Sequence, residues 1–229
     1  MNILFINPTS DESLNDTIFK VADRASKMSA RNSEDYTHNS VIALEKAPKR
    51  ILTELDRMES MICMMEKVRE LRDVYDGFII ASVAELGADA VHELTDKPVV
   101  CAGAAGVYPA PLYGHRIAVL GRSPQDNEIH KQTLNHYGIL HKNISFVPVY
   151  DEVDAPLTDL PDALDKAVAK ARHDYLANVI VLADPSMGVC SDQMAKKWQV
   201  TVLDGITSAI IRIEYMVFQR AKIEGIWID

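Results

Sequence analysis

Eight short apolar segments, separated by longer amphipathic ones, constrain the fold of this chain most strongly. The apolar segments are residues 2–6, 40–44, 77–81, 98–101, 116–120, 144–149, 178–183 and 200–203. Several are apolar at every position, which is typical of parallel strands covered by helices on both faces of a sheet. Helices with apolar residues at a spacing of three to four are predicted over residues 14–28, 48–73, 162–173 and 206–225. This alternation predicts an α/β fold with mainly parallel sheets.

The segments also repeat as two similar halves. "VYDGFIIASVAELGADAV" (residues 74–91) and "YLANVIVLADPSMGVCSDQM" (residues 175–194) both pass from a helix end through an apolar strand to an alanine, a polar residue and a new helix. A chain of 229 residues, 48% of them hydrophobic, is long enough to bury one large core or two small ones. We therefore predict two pseudo-symmetric lobes, each a mainly parallel sheet flanked by helices. The first comprises residues 1–100 plus 206–229, and the second comprises residues 101–205.

Charge and cysteine content exclude several classes of protein. The formal net charge of -9 is unlike that of a nucleic-acid-binding protein and gives no attraction to an anionic membrane surface. No apolar run approaches the roughly 20 residues that span a bilayer, and the N-terminus lacks the features of a signal peptide. Cys63, Cys101 and Cys190 form no CxxC pair and are odd in number, as in a reducing compartment. We expect a cytoplasmic protein with neither nucleic-acid nor membrane partners.

The sequence lacks the motifs of common cofactor and metal sites. It contains no GxxxxGK[ST] phosphate loop, no GxGxxG after a strand, no HExxH and no GxSxG. The seven histidines are scattered, and His130 and His136 stand six residues apart in one predicted helix, so they do not share a face well. We interpret the histidines as surface or packing residues and expect neither a cofactor nor a metal ion.

Polar residues follow most of the predicted strands. In open parallel sheets, ligands bind beyond the carboxyl ends of the strands. The segments at that position are residues 7–10, 82–83, 103–106, 121–123, 184–186 and 204–205. Most lead into a helix, whose free N–H groups suit a small anion or an imide oxygen. Two interpretations stay open: together the segments form a pocket for a small anionic or imide substrate, or the individual residues are helix caps.

Several longer motifs occur in order along the chain. They are "ILFINPTS" (3–10), a strand ending at Ala81, "PVVCAGAAG" (98–106), "YGI" (137–139), "VIVL" (179–182) followed by Met187, and "VLDGITSAI" (202–210). Together they resemble the hydantoin/allantoin racemase branch of the aspartate/glutamate racemase superfamily, over nearly the whole chain. The resemblance implies two pseudo-symmetric lobes with the active site in the cleft between them, and a homo-oligomer.

The resemblance also locates the two catalytic cysteines of that family, and both are replaced here. In the family, one thiolate removes the α-proton of the substrate and the facing thiol returns a proton from the opposite side. These positions fall on Ser82 and Asp184, and the family's acidic turn residue falls on Ala104. We predict that Asp184 is the catalytic acid or base, and that Ser82 is a hydrogen-bond donor or, less favourably, a nucleophile. The predicted substrate-binding residues are Asn7, Pro8, Thr9, Val83, Gly121, Arg122, Ser123, Pro185 and Ser186.

Other roles for these residues stay open. Asn7, which precedes a proline, is also typical of a turn-stabilising side chain. Arg122 either binds a substrate carboxylate in bidentate fashion or is a solvated surface residue. Asp184 is also suited to cap the helix that follows it. Cys101 and Cys190 lie near the same strand ends, but free cysteines are more often small buried hydrophobic residues.

An aspartate opposite a serine forms an asymmetric site, unlike a pair of thiols. A serine hydroxyl is a very poor acid and base near neutral pH, whereas a carboxylate orients water or transfers one proton. This asymmetry favours a hydrolase or lyase acting on a small hydantoin-like, amide or dicarboxylate substrate. The alternatives are an atypical racemase or epimerase of the hydantoin or amino-acid type, and a non-catalytic metabolite-binding protein.

Overall fold

Two four-stranded parallel sheets form the framework of the chain. The computed structural model describes residues 1–30, 36–82, 84, 86–140, 142–152, 155 and 157–223. The first sheet has the order β2-β1-β3-β4, with β1 Asn2–Asn7, β2 His38–Ala43, β3 Gly77–Ile80 and β4 Val99–Cys101. The second has the order β6-β5-β7-β8, with β5 Ile117–Gly121, β6 Ile144–Pro148, β7 Val179–Leu182 and β8 Thr201–Asp204. The sheets share one topology, and the predicted α/β fold with two parallel sheets flanked by helices is confirmed.

Eight α-helices surround these sheets within the described residues. They are α1 Asn15–Ser29, α2 Glu54–Leu71, α3 Ala88–Leu94, α4 Ala102–Val107, α5 Pro124–His136, α6 Leu160–Asp174, α7 Ser191–Trp198 and α8 Gly205–Ile223. Short 3₁₀ helices span Glu12–Leu14, Ala110–Leu112, Leu157–Asp159 and Pro185–Cys190. Over the described part of the chain, no helix combines the length and the apolar character that crossing a membrane requires.

Two expectations about the helices need correction. Helix α2 begins at Glu54 rather than near Pro48, because Thr53 caps it. The Thr53 hydroxyl accepts a hydrogen bond from the Asp56 N–H at 3.1 Å, and the Asp56 carboxylate accepts one from the Thr53 N–H at 2.7 Å. Residues 103–106, which were expected to join a strand to a helix, lie instead within helix α4.

The central strands do not alternate between apolar and polar residues, because each sheet is covered on both faces. In β1, Ile3 and Phe5 pack with α1 and α8 on one face of the first sheet. Leu4 and Ile6 pack with α2 on the other face. Strands β5 and β7 of the second sheet are likewise buried at every position. With both faces of the sheets apolar, the polar residues cluster where the strands end.

The contact between α4 and α8 accounts for the small residues that follow β4. A Cβ added to Gly106 would lie 3.3 Å from the backbone of Gly205, so the two helices cross with almost no side chain between them. Helix α8 also packs against α1, β3 and β4. The assignment of residues 206–229 to the first lobe, and the boundary at residue 100, stay predictions.

Candidate active site

A cleft lies where strands of the two sheets end, and it contains most of the predicted site residues. Asn7, Pro8, Thr9 and Ser82 line it from the first sheet, and Arg122, Asp184 and Pro185 line it from the second. The cleft encloses about 170 Å³, which is less than the roughly 300–1,000 Å³ of a pocket for a drug-sized ligand. Larger cavities beside α8, and between α2 and α5, include neither Ser82 nor Asp184. The cleft therefore suits a small substrate.

Three other predicted binding residues lie behind the cleft surface. Gly121, Ser123 and Ser186 are buried and are not among the lining residues. The Gly121 N–H donates to Asn127 Oδ1 at 3.0 Å, and a Cβ on Gly121 would lie 2.4 Å from that oxygen. A glycine is needed there for the close approach of Asn127. Val83 lies outside the described residues, so its predicted role stays a prediction.

Asp184 is both a helix cap and a cleft residue. It follows β7 and caps the 3₁₀ helix Pro185–Cys190, since its Oδ1 accepts the Ser186 N–H at 2.8 Å. The Ser186 hydroxyl donates to the same oxygen. The second oxygen, Oδ2, accepts no hydrogen bond from any residue that the structure describes. The cap therefore fixes the carboxylate through one oxygen and leaves the other for a ligand.

Ser82 lines the cleft from the first sheet, just after β3. Its side chain is largely buried, with 9% of the residue exposed. The hydroxyl oxygen accepts the Ala84 N–H at 3.1 Å, and the Ser82 carbonyl accepts the Gly103 N–H at 3.0 Å. No acceptor for the hydroxyl proton occurs among the described side chains and carbonyls. The proton is thus available to a ligand carbonyl.

The Asn7 side chain is fully used inside its own loop. Its amide nitrogen donates to the Asp11 carbonyl at 2.8 Å and to Asn15 Oδ1 at 3.0 Å. Its Oδ1 accepts the Thr9 N–H at 3.2 Å and the Thr9 hydroxyl at 2.9 Å. Two N–H groups and two lone pairs exhaust the capacity of the side chain. In this conformation Asn7 holds the loop, and a substrate contact by Asn7 stays a prediction.

Asp126, in the first turn of α5, is a cleft residue that the sequence analysis missed. Its Oδ2 accepts the Ser123 N–H at 2.9 Å and the Ser123 hydroxyl at 2.7 Å. Burial raises the pKa of Asp126, and the charge of Asp184 adds to this, against the opposing effects of Ser123 and Arg122. The spacing of Ser123 and Asp126 is a capping-box signal, but such a signal does not show that the carboxyl faces a cleft.

Positive groups lie on both walls of the cleft. Arg122 donates from Nη2 to the Ala155 carbonyl at 2.7 Å, and its buried Nε has no partner within the described part of the chain. Arg122 is therefore not a freely solvated side chain. Lys49 and Arg50 line the cleft on the side of the first sheet. There the side chain and then the N–H of Ser13, with smaller effects of Lys49 and Arg50, hold the pKa of Asp11 below its usual value.

None of the three cysteines, all of which the structure describes, lines the cleft. Cys101 and Cys190 are buried in hydrophobic clusters. Burial also raises the pKa of the Cys190 thiol, which favours its neutral form. No group of three His, Cys, Asp or Glu residues in the described ranges could hold a metal ion. The expectation of a site without metal or cofactor stays a prediction.

The sequence and the fold of this chain have clear counterparts among known proteins. The family model described as Asp/Glu/Hydantoin racemase matches residues 3–212. The hydantoin racemase of Pseudomonas sp. (strain NS671) is 26% identical over 222 residues, which covers 95% of this chain and 86% of that protein. The hydantoin racemase of Paenarthrobacter aurescens is 26% identical over 234 residues, covering 97% and 94%. Allantoin racemase from Klebsiella pneumoniae has the same fold, with a TM-score of 0.82 at 22% identity, covering 96% of this chain and 89% of that one.

The chain therefore belongs to the Asp/Glu/hydantoin racemase family. This is a family of enzymes, and the two similar sequences described above are hydantoin racemases. These relationships favour the racemase alternative over the hydrolase or lyase that the asymmetric site led us to prefer.

Proposed function

We propose that the protein is a racemase or epimerase that transfers the proton on a carbon next to a carbonyl of a small hydantoin-like or carboxylate substrate. One observation carries this proposal: Asp184 is held in the cleft through Oδ1, and its Oδ2 is left without a partner among the described residues. Membership of a racemase family supports the reaction type.

Asp184 and Ser82 take different parts in the proposed reaction. The C–H bond breaks, the proton passes to Asp184 Oδ2, and the electron pair moves onto the carbonyl oxygen. Ser82, on the other wall, donates a hydrogen bond to a substrate oxygen. Because Ser186 binds Oδ1, the carboxylate keeps its orientation during the transfer.

The source of the returning proton decides the stereochemical outcome. Return from Asp184 restores the starting enantiomer, whereas delivery from water on the Ser82 side inverts it. The Ser82 hydroxyl is too weak an acid to deliver a proton at the rate of a thiol. We therefore expect exchange of the substrate proton with solvent to be faster than inversion.

The walls of the cleft suit a small anionic or imide substrate. Arg122, Lys49 and Arg50 supply positive charge around about 170 Å³ of space. The substrate is then a ring or chain of few atoms, with a carboxylate or imide group bound by these cations.

The protein is also proposed to be a cytoplasmic homo-oligomer. Ile211, Tyr215 and Phe218 form an exposed apolar stripe on one face of α8. Exposed apolar surface of this kind is typical of an interface. Sedimentation equilibrium should give a mass above 25.5 kDa, and a Tyr215→Asp variant should sediment as a smaller species.

Proton NMR in D₂O tests the proposed reaction. The parent, Asp184→Asn and a control, Asp192→Asn, are each mixed with 5-substituted hydantoins and small α-substituted carboxylates. Asp192 is an exposed residue of α7 that pairs with Arg24 and does not line the cleft. We expect deuterium to enter the α-position with the parent and with Asp192→Asn, and not with Asp184→Asn. Exchange that survives in Asp184→Asn would overturn the proposed role of Asp184.

The same spectra address the second candidate, a hydrolase or lyase. The observation that favours it is the unlike pair of groups, a carboxylate on one wall and a neutral hydroxyl on the other. A ring-opened or eliminated product, lost in Asp184→Asn, would replace the racemase proposal with this one. Line broadening of a ligand without any turnover would support the metabolite-binding protein.

A further inference from the structure

Two carboxyl groups on the second-sheet wall of the cleft are held in the same way. Ser123 binds one oxygen of Asp126 at 2.7 and 2.9 Å, and Ser186 binds one oxygen of Asp184. The remaining oxygens, Asp126 Oδ1 and Asp184 Oδ2, accept no hydrogen bond from the described residues. Both residues line the cleft. Each carboxyl is thus oriented by a serine and has one oxygen left for a ligand.

The role of Asp126 as a helix-capping residue does not account for the raised pKa of its carboxyl group. Asp56 occupies the same position in the capping box of α2, where it accepts hydrogen bonds from Thr53 and Leu52. These bonds lower the pKa of the half-buried Asp56. The pKa of Asp126 is instead raised, because burial and the charge of Asp184 outweigh the bonds from Ser123. Two like charges in one cleft disfavour the doubly ionised state.

We propose that Asp126 is the acid of the site: it gives its Oδ1 proton to the substrate carbonyl oxygen while Asp184 Oδ2 removes the proton from the neighbouring carbon. This inference rests on the function proposed above. The C–H bond breaks and its electron pair forms the carbon–carbon double bond of an enol. The carbonyl π pair takes the Asp126 proton as an O–H bond. As the O–H proton returns to Asp126, a proton from Asp184 restores the starting enantiomer, whereas a proton from water on the opposite face gives the other enantiomer.

The arrangement keeps the charge of the site constant. In the proposed step one proton enters Asp184 as another leaves Asp126, so the total charge of the two carboxyl groups does not change. The two donor groups of Ser123, with Arg122 near by, stabilise the carboxylate that forms on Asp126. Ser82 then contributes a hydrogen bond and is not required to ionise.

Carboxyl ¹³C NMR of the free protein tests the pairing without any substrate. The Asp126 resonance, assigned by its absence in Asp126→Asn, should titrate above the range of an ordinary aspartate. In Asp184→Asn its midpoint should fall, because the like charge is removed. An Asp126 that titrates as an ordinary aspartate, or one that ignores the Asp184 substitution, would overturn the inference.

The pH dependence of solvent exchange tests the catalytic role. With the parent, the rate should fall at high pH as Asp126 loses its proton. In Asp126→Asn, which keeps an acceptor for Ser123, this fall should be absent and the rate at neutral pH should be on the order of 10²-fold lower. Asp56→Asn, the matched capping variant, should keep the parental rate and profile.

The two proposals fail in distinguishable ways. If Asp126→Asn keeps the parental rate and pH profile while Asp184→Asn is inactive, the role of Asp126 is overturned and the proposed function stands. If Asp184→Asn retains exchange, the proposed role of Asp184 is overturned, and if the parent shows no exchange, the proposed function itself is wrong.

Discussion

Gly205 lies so close to Ala102 that a Cβ on Gly205 would be 2.4 Å from the Ala102 carbonyl oxygen. The contact joins the first residue of α8 to the first residue of α4, each of which follows the last strand of its sheet. The two sheets are thus connected through backbone at equivalent positions. Space for a methyl group could come only from separating the helices.

Gly205→Ala should therefore destabilise the protein. Forcing an extra carbon into a packed contact typically costs about 1–3 kcal/mol, and the neighbouring atom here is backbone that has no rotamer to change. Urea unfolding measures the loss. Ser208→Ala, one turn along α8, is the control and should stay within about 0.5 kcal/mol of the parent. Equal stability of all three proteins would contradict the close approach.

Arg24 connects α1 to the segment that carries Asp184. Its Nη2 donates to the Gly188 carbonyl and to the Ser191 hydroxyl, both at 3.0 Å. Arg24→Gln should lower the free energy of unfolding by about 1.5–3 kcal/mol, the range for hydrogen bonds of a charged group. It should also slow solvent exchange, because the 3₁₀ helix capped by Asp184 loses its anchor. Asp192→Asn removes only an exposed ion pair with Arg24 and should cost less than about 1 kcal/mol.

Activity should not depend on cysteine. The triple variant Cys63→Ser, Cys101→Ala, Cys190→Ala should retain the exchange rate, since no cysteine lines the cleft. Stability should fall by about 1 kcal/mol for each buried thiol removed. Iodoacetamide at neutral pH should likewise leave the native enzyme active. If the triple variant still melts cooperatively but no longer catalyses exchange, a thiol takes part in the reaction.

His130 should make the protein sensitive to mild acid. Burial lowers its pKa from 6.5 to about 3. Between these values the unfolded chain binds a proton that the folded protein does not, so stability falls as the pH falls. The slope is about 1.4 kcal/mol per pH unit at most. Asp126 and Asp204, whose pKa values are raised, act in the opposite sense, so the informative quantity is the difference between variant and parent.

Urea unfolding at several pH values between 4.5 and 6.5, reported as that difference, measures the His130 contribution. His130→Leu should show a smaller loss of stability on acidification than the parent. His115→Gln, which changes an exposed histidine, should keep the parental slope. A parental slope in His130→Leu would mean that the pKa of His130 is the same in the folded protein as in the unfolded chain.

The framework was predictable because the strand pattern is local and unambiguous. Ile3, Leu4, Phe5 and Ile6 are all buried, and no half-exposed strand would carry four consecutive apolar residues. The start of α2 was missed because the apolar spacing continues upstream of Thr53, whereas the capping box decides where the helix begins. Local pattern predicts that an element exists better than it predicts the end of that element.

The candidate site was only partly predictable because orientation is a property of three-dimensional packing. The polar residues after β3 and β7 identified Ser82 and Asp184 as cleft residues, and the structure brings both to one cleft. Ser123 and Ser186 follow β5 and β7, yet their hydroxyls bind Asp126 and Asp184 instead of reaching the cleft surface. Whether a capping carboxyl is solvated depends on segments far away in sequence.

The two sheets have the same strand order, but the groups after β3 and β7 differ. Enantiomers of a substrate have an equilibrium constant of one, so thermodynamics requires kcat/KM to be equal in both directions. Because each enantiomer presents its hydrogen to a different wall, kcat itself has no reason to be equal. We therefore expect the enantiomer that turns over faster at saturation to have the larger KM, by the same factor.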